Sequence, residues 1–233
     1  MATQHTIEAN LQRIYACIAR SAQKVGRDPK EITLVAVAKN QPHQAVRLAY
    51  EAGIRHFGEN RVQEWEEKRP FLEDLRDVTW HFIGHLQSNK AARAREIFQR
   101  IDSVDSAGLA RRLDHLTKAG TRYPVLLEVK IDPTATKFGV SPEEFPDVAD
   151  AILGMERLEL RGLMGIAPVV EEPDQTRPFF RHLRDMRDSL LRRYQRPFPT
   201  LSMGMSHDFE IAIEEGATEI RLGTALFGAR RYD

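Results

Sequence analysis

The chain is nearly devoid of cysteine and has no segment that reads as a membrane span. Cys17 is the only thiol in 233 residues, which excludes an intramolecular disulfide and fits a reducing compartment. Its neighbours Leu11, Ile14, Tyr15 and Ile18 place it on an amphipathic helix, a packing position rather than a catalytic one. No apolar stretch approaches the ~20 residues of a transmembrane helix, and Met1 to Asn10 lack the apolar core of a secretion signal. Charge of one sign is not in excess either. Lys+Arg and Asp+Glu both number 34, so nothing draws the whole molecule toward nucleic acid or an anionic membrane. There is no low-complexity linker and no break in composition. These absences lead to the expectation of a soluble, cytoplasmic protein forming a single domain over residues 1–233.

What is present is alternation. Short apolar runs near 33–38, 54–57, 79–83, 100–104, 124–130, 158–163, 199–202 and 218–222 read as strands. Amphipathic patterns near 42–52, 59–69, 89–97, 106–119, 143–154, 174–195 and 206–215 read as helices between them, after one opening helix. Pro42 suits a first helical turn. Asp105 or Ser106, and Ser206, suit N-caps. Gly53, Gly120 and Gly216 stand where helices end in a left-handed residue. About eight strand–helix units fit a closed (β/α)8 barrel, whose usual size is roughly 250 residues. Spacing alone leaves an open doubly wound sheet in contention. The Pro- and acid-rich segment from Val169 to Arg177 reads as a long loop after strand six.

Lys39 ends the first apolar run, Ile32 to Ala38, and Asn40-Gln41-Pro42 follows at once. An amine is thereby set at the C-terminal mouth of a strand, the end of an α/β sheet where ligands bind. Desolvated by apolar walls, such an amine becomes a better nucleophile toward an aldehyde; otherwise it simply caps a strand in solvent. Two further turns favour an anion. Leu201-Ser202-Met203-Gly204-Met205-Ser206 follows strand seven, and Arg221-Leu222-Gly223-Thr224 closes strand eight. Glycine allows close backbone approach, hydroxyls donate, and barrels commonly grip phosphate with these two loops. Ordinary strand–helix turns also favour these residues.

The remaining polar clusters are less specific. Ser206-His207-Asp208 is not a triad, since consecutive helical residues splay around the axis. His81, Ile83 and His85 share a face of an extended strand, so both histidines are expected to look into the mouth, His81 against a planar ligand or as a structural histidine. A metal site would need more ligands than this cluster supplies, and none is expected. Asn60, in Gly58-Glu59-Asn60-Arg61, can reach the same mouth, and Lys137 lies in the loop after strand five. The arginines between 177 and 196 read as a solvated face with local ion pairs.

Together these stretches resemble a known family, the pyridoxal phosphate homeostasis proteins, which are similar to the N-terminal barrel of alanine racemases. The resemblance rests on Leu34 to Lys39, Phe57 to Asn60, His81 to Gly84 with Leu86 to Lys90, Arg161 to Met164, Leu201 to Ser206 and Arg221 to Gly228, in family order along nearly the whole chain. It implies a single TIM barrel like the alanine racemase N-terminal domain, with an extra N-terminal helix. It also implies pyridoxal 5'-phosphate (PLP) held as a Schiff base on Lys39. By position, Ser202, Gly223 and Thr224 would hold the phosphate and Arg221 would face the pyridine nitrogen. Asn60 and His81 would lie around the ring, and Lys137 would approach the phenolic oxygen. Two departures stand out: Ala38-Lys39-Asn40-Gln41-Pro42 replaces the commoner Ser-Lys-Thr-Lys-Pro, and His207 stands where aspartate is frequent.

The expected function is intracellular PLP homeostasis without a robust turnover reaction. An arginine opposite the pyridine nitrogen weakens the cofactor as an electron sink. Alanine racemases also draw a second base from an additional domain, and the chain ends at Asp233, directly after its eighth unit. Expected partners are PLP and PLP-dependent apoenzymes as recipients, with the protein a monomer. A PLP-dependent amino-acid racemase or decarboxylase is the alternative, and a phosphate-ligand barrel that never attaches an aldehyde is a third reading.

Overall fold

The computed structural model describes residues 3–132 and 138–228. Helix α1 (Gln4–Lys24) precedes the strands β1 (Thr33–Val37), β2 (His56–Glu59), β3 (Thr79–Phe82), β4 (Arg100–Val104), β5 (Tyr123–Val129), β6 (Leu158–Gly165), β7 (Thr200–Ser202) and β8 (Glu219–Leu222). Each strand is followed by a helix: α2 (His43–Glu51), α3 (Val62–Lys68), α4 (Ala91–Ile97), α5 (Ala107–Leu116), α6 (Phe145–Leu153), α7 (Arg177–Tyr194), α8 (Phe209–Glu214) and α9 (Thr224–Phe227). All neighbours pair in parallel, and β8 returns to β1 through Thr33–Glu219 to Ala36–Leu222. The sheet is closed. That register decides between the barrel and the open sheet, which spacing alone had left undecided.

Strand alternation builds two cores. Leu34, Ala36, Ala38, Phe57, Trp80 and Phe82 join the apolar layer beneath the helices. Val35, Leu126 and Met164 are equally buried but stand apart from that layer, along the barrel axis. Packing there is tight. The β6–β7 seam closes only because residue 162 is glycine: it sits at φ +152, and a Cβ would lie 1.8 Å from the Thr200 carbonyl oxygen.

Helix α1 presents Ile7, Leu11, Ile14, Ile18 and Ala22 on one buried face. It is fastened to the far end of the chain. Asn10 Nδ2 donates to the Leu226 carbonyl at 2.8 Å, and Lys24 pairs with Glu214 at 2.8 Å. The arginines of α7 pair across to the end of α8: Arg177, Arg181 and Arg184 all reach the Glu215 carboxylate. No helix among the described residues is long and apolar enough to cross a membrane.

Several boundaries follow side-chain chemistry. Ser106 Oγ accepts the Leu109 amide at 3.2 Å and caps α5. Gly53, Gly120 and Gly216 all have positive φ, as helix-terminal glycines should. The expected cap at Ser206 is corrected. Helix α8 starts three residues later at Phe209, because Asp208 Oδ1 takes the Met205 amide at 2.6 Å and closes a turn first. Ser206 is thereby freed to reach α9.

Candidate active site at the C-terminal mouth of the barrel

Lys39 stands at the end of β1, half-buried, in a turn closed by the Gln41 amide donating to the Ala38 carbonyl at 3.0 Å. Asn40 completes the turn at φ +59, a left-handed conformation that asparagine tolerates better than most residues. The β1–β8 register runs Val35–Arg221 and Ala36–Leu222, so continuing both strands carries Lys39 past Gly223. A Cβ on Gly223 would rest 3.5 Å from Val37 Cβ. The amine-bearing turn and the β8 turn are therefore adjacent.

Arg221 lies just below. Its side chain is fully enclosed, with Nη1 donating to Ser202 Oγ at 2.7 Å and Nη2 to the Gly165 carbonyl at 3.0 Å. Burial pushes its pKa below the ordinary arginine range against the pull of Glu219, Asp102 and Glu128. Ser202 accepts that bond and keeps its own O–H to donate. Ser206 Oγ accepts the Ala225 amide at 3.1 Å, tying the loop after β7 to the first turn of α9. Gly223 precedes that turn and Thr224 opens it, exposed to the mouth. The two anion-type turns thus meet in space.

Asn60 reaches the mouth from β2. Its Oδ1 is buried and has no hydrogen-bond partner among the described residues. The loop after β3 packs closely on this residue: a Cβ on Gly84 would fall 2.3 Å from the Asn60 backbone carbonyl oxygen, so only glycine lets the loop lie across it. Lys137 lies outside the described residues.

His81 is placed differently from expectation. Strand β3 ends at Phe82, so His81 and His85 do not share an extended face. The His81 ring is 0% exposed, with Nδ1 3.0 Å from Asp102 Oδ2 and Nε2 3.0 Å from His56 Nδ1. Arg100 donates to both Asp102 and Glu219 in the same cluster. His56, Arg100 and Glu219 line a depression of about 480 Å³ formed by strand starts such as Thr33 and Thr79, at the opposite end of the barrel. His81 therefore faces a buried ionic network and not the mouth, which corrects the expected ring contact. His85 instead pairs with Asp105 at 3.0 Å and stacks on Phe138 with centroids 3.6 Å apart.

In this lower network Asp102 is paired through both oxygens, while Glu219 Oε1 is buried with no hydrogen-bond partner among the described residues. Burial alone would raise the Asp102 pKa, but Arg100 and His81 overcome it and hold the carboxyl well below the usual range. One atom each of His81, Asp102 and Glu219 lies within 4.8 Å of the others. Arg100 already pairs with both carboxylates.

Two groups escaped the sequence reading. Glu128 on β5 is buried, and burial lifts its carboxyl to about 7 against the pull of Arg221. Its sequence signal was alternation, since residues 126 and 128 share a face of β5. The second is Lys68, whose ammonium donates to the Ala38 carbonyl at 2.7 Å. No local pattern announces a contact across 30 residues.

A closed barrel with its amine at the end of β1 and anion-type turns after β7 and β8 defines the class of the alanine racemase N-terminal domain, whose family model matches residues 9–231. Fold likeness agrees: alanine racemase from Clostridium difficile superposes with a TM-score of 0.75 at 15% identity, over 98% of this chain and 58% of that one. Much nearer are pyridoxal phosphate homeostasis proteins. That of Pseudomonas aeruginosa is 45% identical over 97% of both chains, and that of Escherichia coli is 39% identical over the same shares. PipY of Synechococcus elongatus, solved with PLP bound, is 42% identical with a TM-score of 0.80, covering 91% of this chain and 100% of that one. The chain belongs to the pyridoxal phosphate homeostasis protein family.

Proposed function

We propose that this chain binds PLP at the C-terminal mouth, attached covalently through the Lys39 amine, and serves PLP homeostasis inside the cell as a single-domain monomer. One observation carries the reading: the β1–β8 register sets the turn that ends β1 in an amine beside the Gly223–Thr224 turn and above Arg221. The donor set fits the group. An amine, a buried guanidinium, two hydroxyls and an amide with an unpartnered oxygen match an aldehyde, a pyridine nitrogen, a phosphate and a ring hydroxyl. When bound, PLP supplies an aldehyde for a lysine and an electron-withdrawing ring.

The residues then have distinct roles. Ser202, Gly223 and Thr224 would hold the phosphate, and Ser206 keeps their two loops in register. Arg221 would face the pyridine nitrogen; a guanidinium there does not give up a proton, so the nitrogen stays unprotonated and the ring draws electrons weakly. That favours holding the aldehyde over driving fast chemistry on an amino acid, with PLP-dependent apoenzymes as recipients. Asn60 would lie at the ring edge.

The test is a visible spectrum of PLP-saturated protein, followed by borohydride reduction and peptide mapping, with Lys39→Ala as control. A pyridoxyl group on Lys39 is expected; an unmodified Lys39 overturns the reading. Incubation with a panel of amino acids and chiral chromatography tests the homeostasis role separately. Robust racemisation or decarboxylation would make the protein an enzyme instead.

A further inference from the structure

The turn that carries Lys39 is gripped from outside the barrel by α3. Lys68, at the C-terminal end of α3, is buried, and its Nζ donates to the Ala38 carbonyl at 2.7 Å, to Glu59 Oε1 at 2.8 Å and to Glu64 Oε1 at 2.7 Å. An ammonium has three protons, and all three are used. Glu64 Oε1 also accepts the Asn40 amide. The peptide unit before Lys39 contains the Ala38 carbonyl, and the unit after it contains the Asn40 amide. Peptide units are planar and rigid, so holding one atom in each constrains the backbone on both sides of Lys39. Only the side-chain torsions of Lys39 then remain to aim the amine.

We propose that Lys68 is a positioning residue for Lys39, a buried ammonium that, with Glu59 and Glu64, locks the turn so that the amine is presented to the barrel mouth. The inference rests on the reading of Lys39 as the anchoring amine. It adds a part of the site that lies on the helix side of the sheet, on α3. The arrangement suits this role in particular. Burying an ammonium among two carboxylates is a costly way to stabilise a helix end, and here its third bond goes to the backbone beside Lys39.

Lys68→Met tests it, with Lys68→Arg as the conservative variant. In ligand-free protein, amide exchange at Asn40 should quicken at least about tenfold in Lys68→Met while exchange in the remaining strands is unchanged. On mixing with PLP, the visible absorbance should develop about tenfold more slowly, the scale expected when a supporting contact of a functional group is removed. The pH at which that absorbance titrates should also move, and Lys68→Arg should restore part of the rate. A folded Lys68→Met protein that takes up PLP at the wild-type rate overturns the proposal. Should Lys68→Met fail to fold, Glu64→Ala removes the acceptor of the Asn40 amide and one of the three acceptors of Lys68 from a more accessible position, and should slow uptake at least about threefold, in line with the loss of the hydrogen bond that holds Asn40; an unchanged rate there overturns the proposal equally. Wild-type protein that takes no pyridoxyl group on Lys39 would instead sink the cofactor reading, and exchange at Asn40 would still report whether the lock exists.

Discussion

Replacing Glu59 by glutamine should stabilise the cofactor-free protein above neutral pH. Glu59 is fully enclosed on the outer face of β2; its Oε1 takes Lys68 and its Oε2 has no partner among the described residues. Burial lifts its carboxyl from 4.5 to about 7, against the pull of Lys68 and with the help of Glu64. Between those two values the folded chain keeps a proton that the unfolded chain has lost. The associated stability is thus fully present below about pH 4.5 and disappears as pH rises through 7. At about 1.4 kcal/mol per pH unit the whole effect is about 3 kcal/mol, most of it falling between about pH 5 and pH 8. A glutamine in its place stays neutral throughout and retains an oxygen for Lys68. Urea unfolding of both proteins at pH 5, 6, 7 and 8 should show the variant gaining on wild type by about 2–3 kcal/mol across that range at unchanged m value. Glu128, which burial also lifts to about 7, is present in both proteins and cancels. Two stability curves that run parallel from about pH 5 to pH 8 would refute the assignment of the proton to Glu59.

Gly162→Ala should cost more than about 4 kcal/mol or yield insoluble protein, since its Cβ meets the Thr200 carbonyl at 1.8 Å; a melting temperature within a few degrees of wild type would contradict the β6–β7 packing. Arg100→Met should cost about 3–5 kcal/mol in urea unfolding, because Asp102 and Glu219 would stay buried without their cation. The visible spectrum of PLP-loaded Arg100→Met, recorded under native conditions, should match wild type, because the network lies at the other end of the barrel; a shifted spectrum would show that the network reaches the mouth. Ser206→Ala removes the acceptor of the Ala225 amide and should weaken PLP retention about fivefold, the equivalent of about 1 kcal/mol, as measured by equilibrium dialysis; retention equal to wild type would free the two loops from that contact.

Much of the barrel was readable because its signals are local. Each expected strand lies within about two residues of an observed one, since a buried parallel strand is a short apolar run bounded by turn residues. Helix limits were less well placed where a side chain had two possible partners. Ser206 resembled a cap, and Asp208 took the competing bond. His81 was misdirected for a related reason. Alternation states which residues share a face, but not how far along the barrel axis the strand ends, and β3 stops at Phe82.

The sequence by itself placed an amine at the end of the first strand, two glycine- and hydroxyl-bearing turns near the C-terminus, and an arginine just before the last of them. These are properties of neighbouring residues, and periodicity and turn chemistry report them directly. Tertiary structure alone decided that β8 closes on β1, which brings Lys39 beside Gly223 from the far end of the chain. It also decided that Lys68 reaches the Ala38 carbonyl, 30 positions away, and that Arg100 joins Asp102 to Glu219, 119 positions away. The geometry of such contacts is set by strand register and barrel closure, which depend on how the whole chain packs and not on any segment of it.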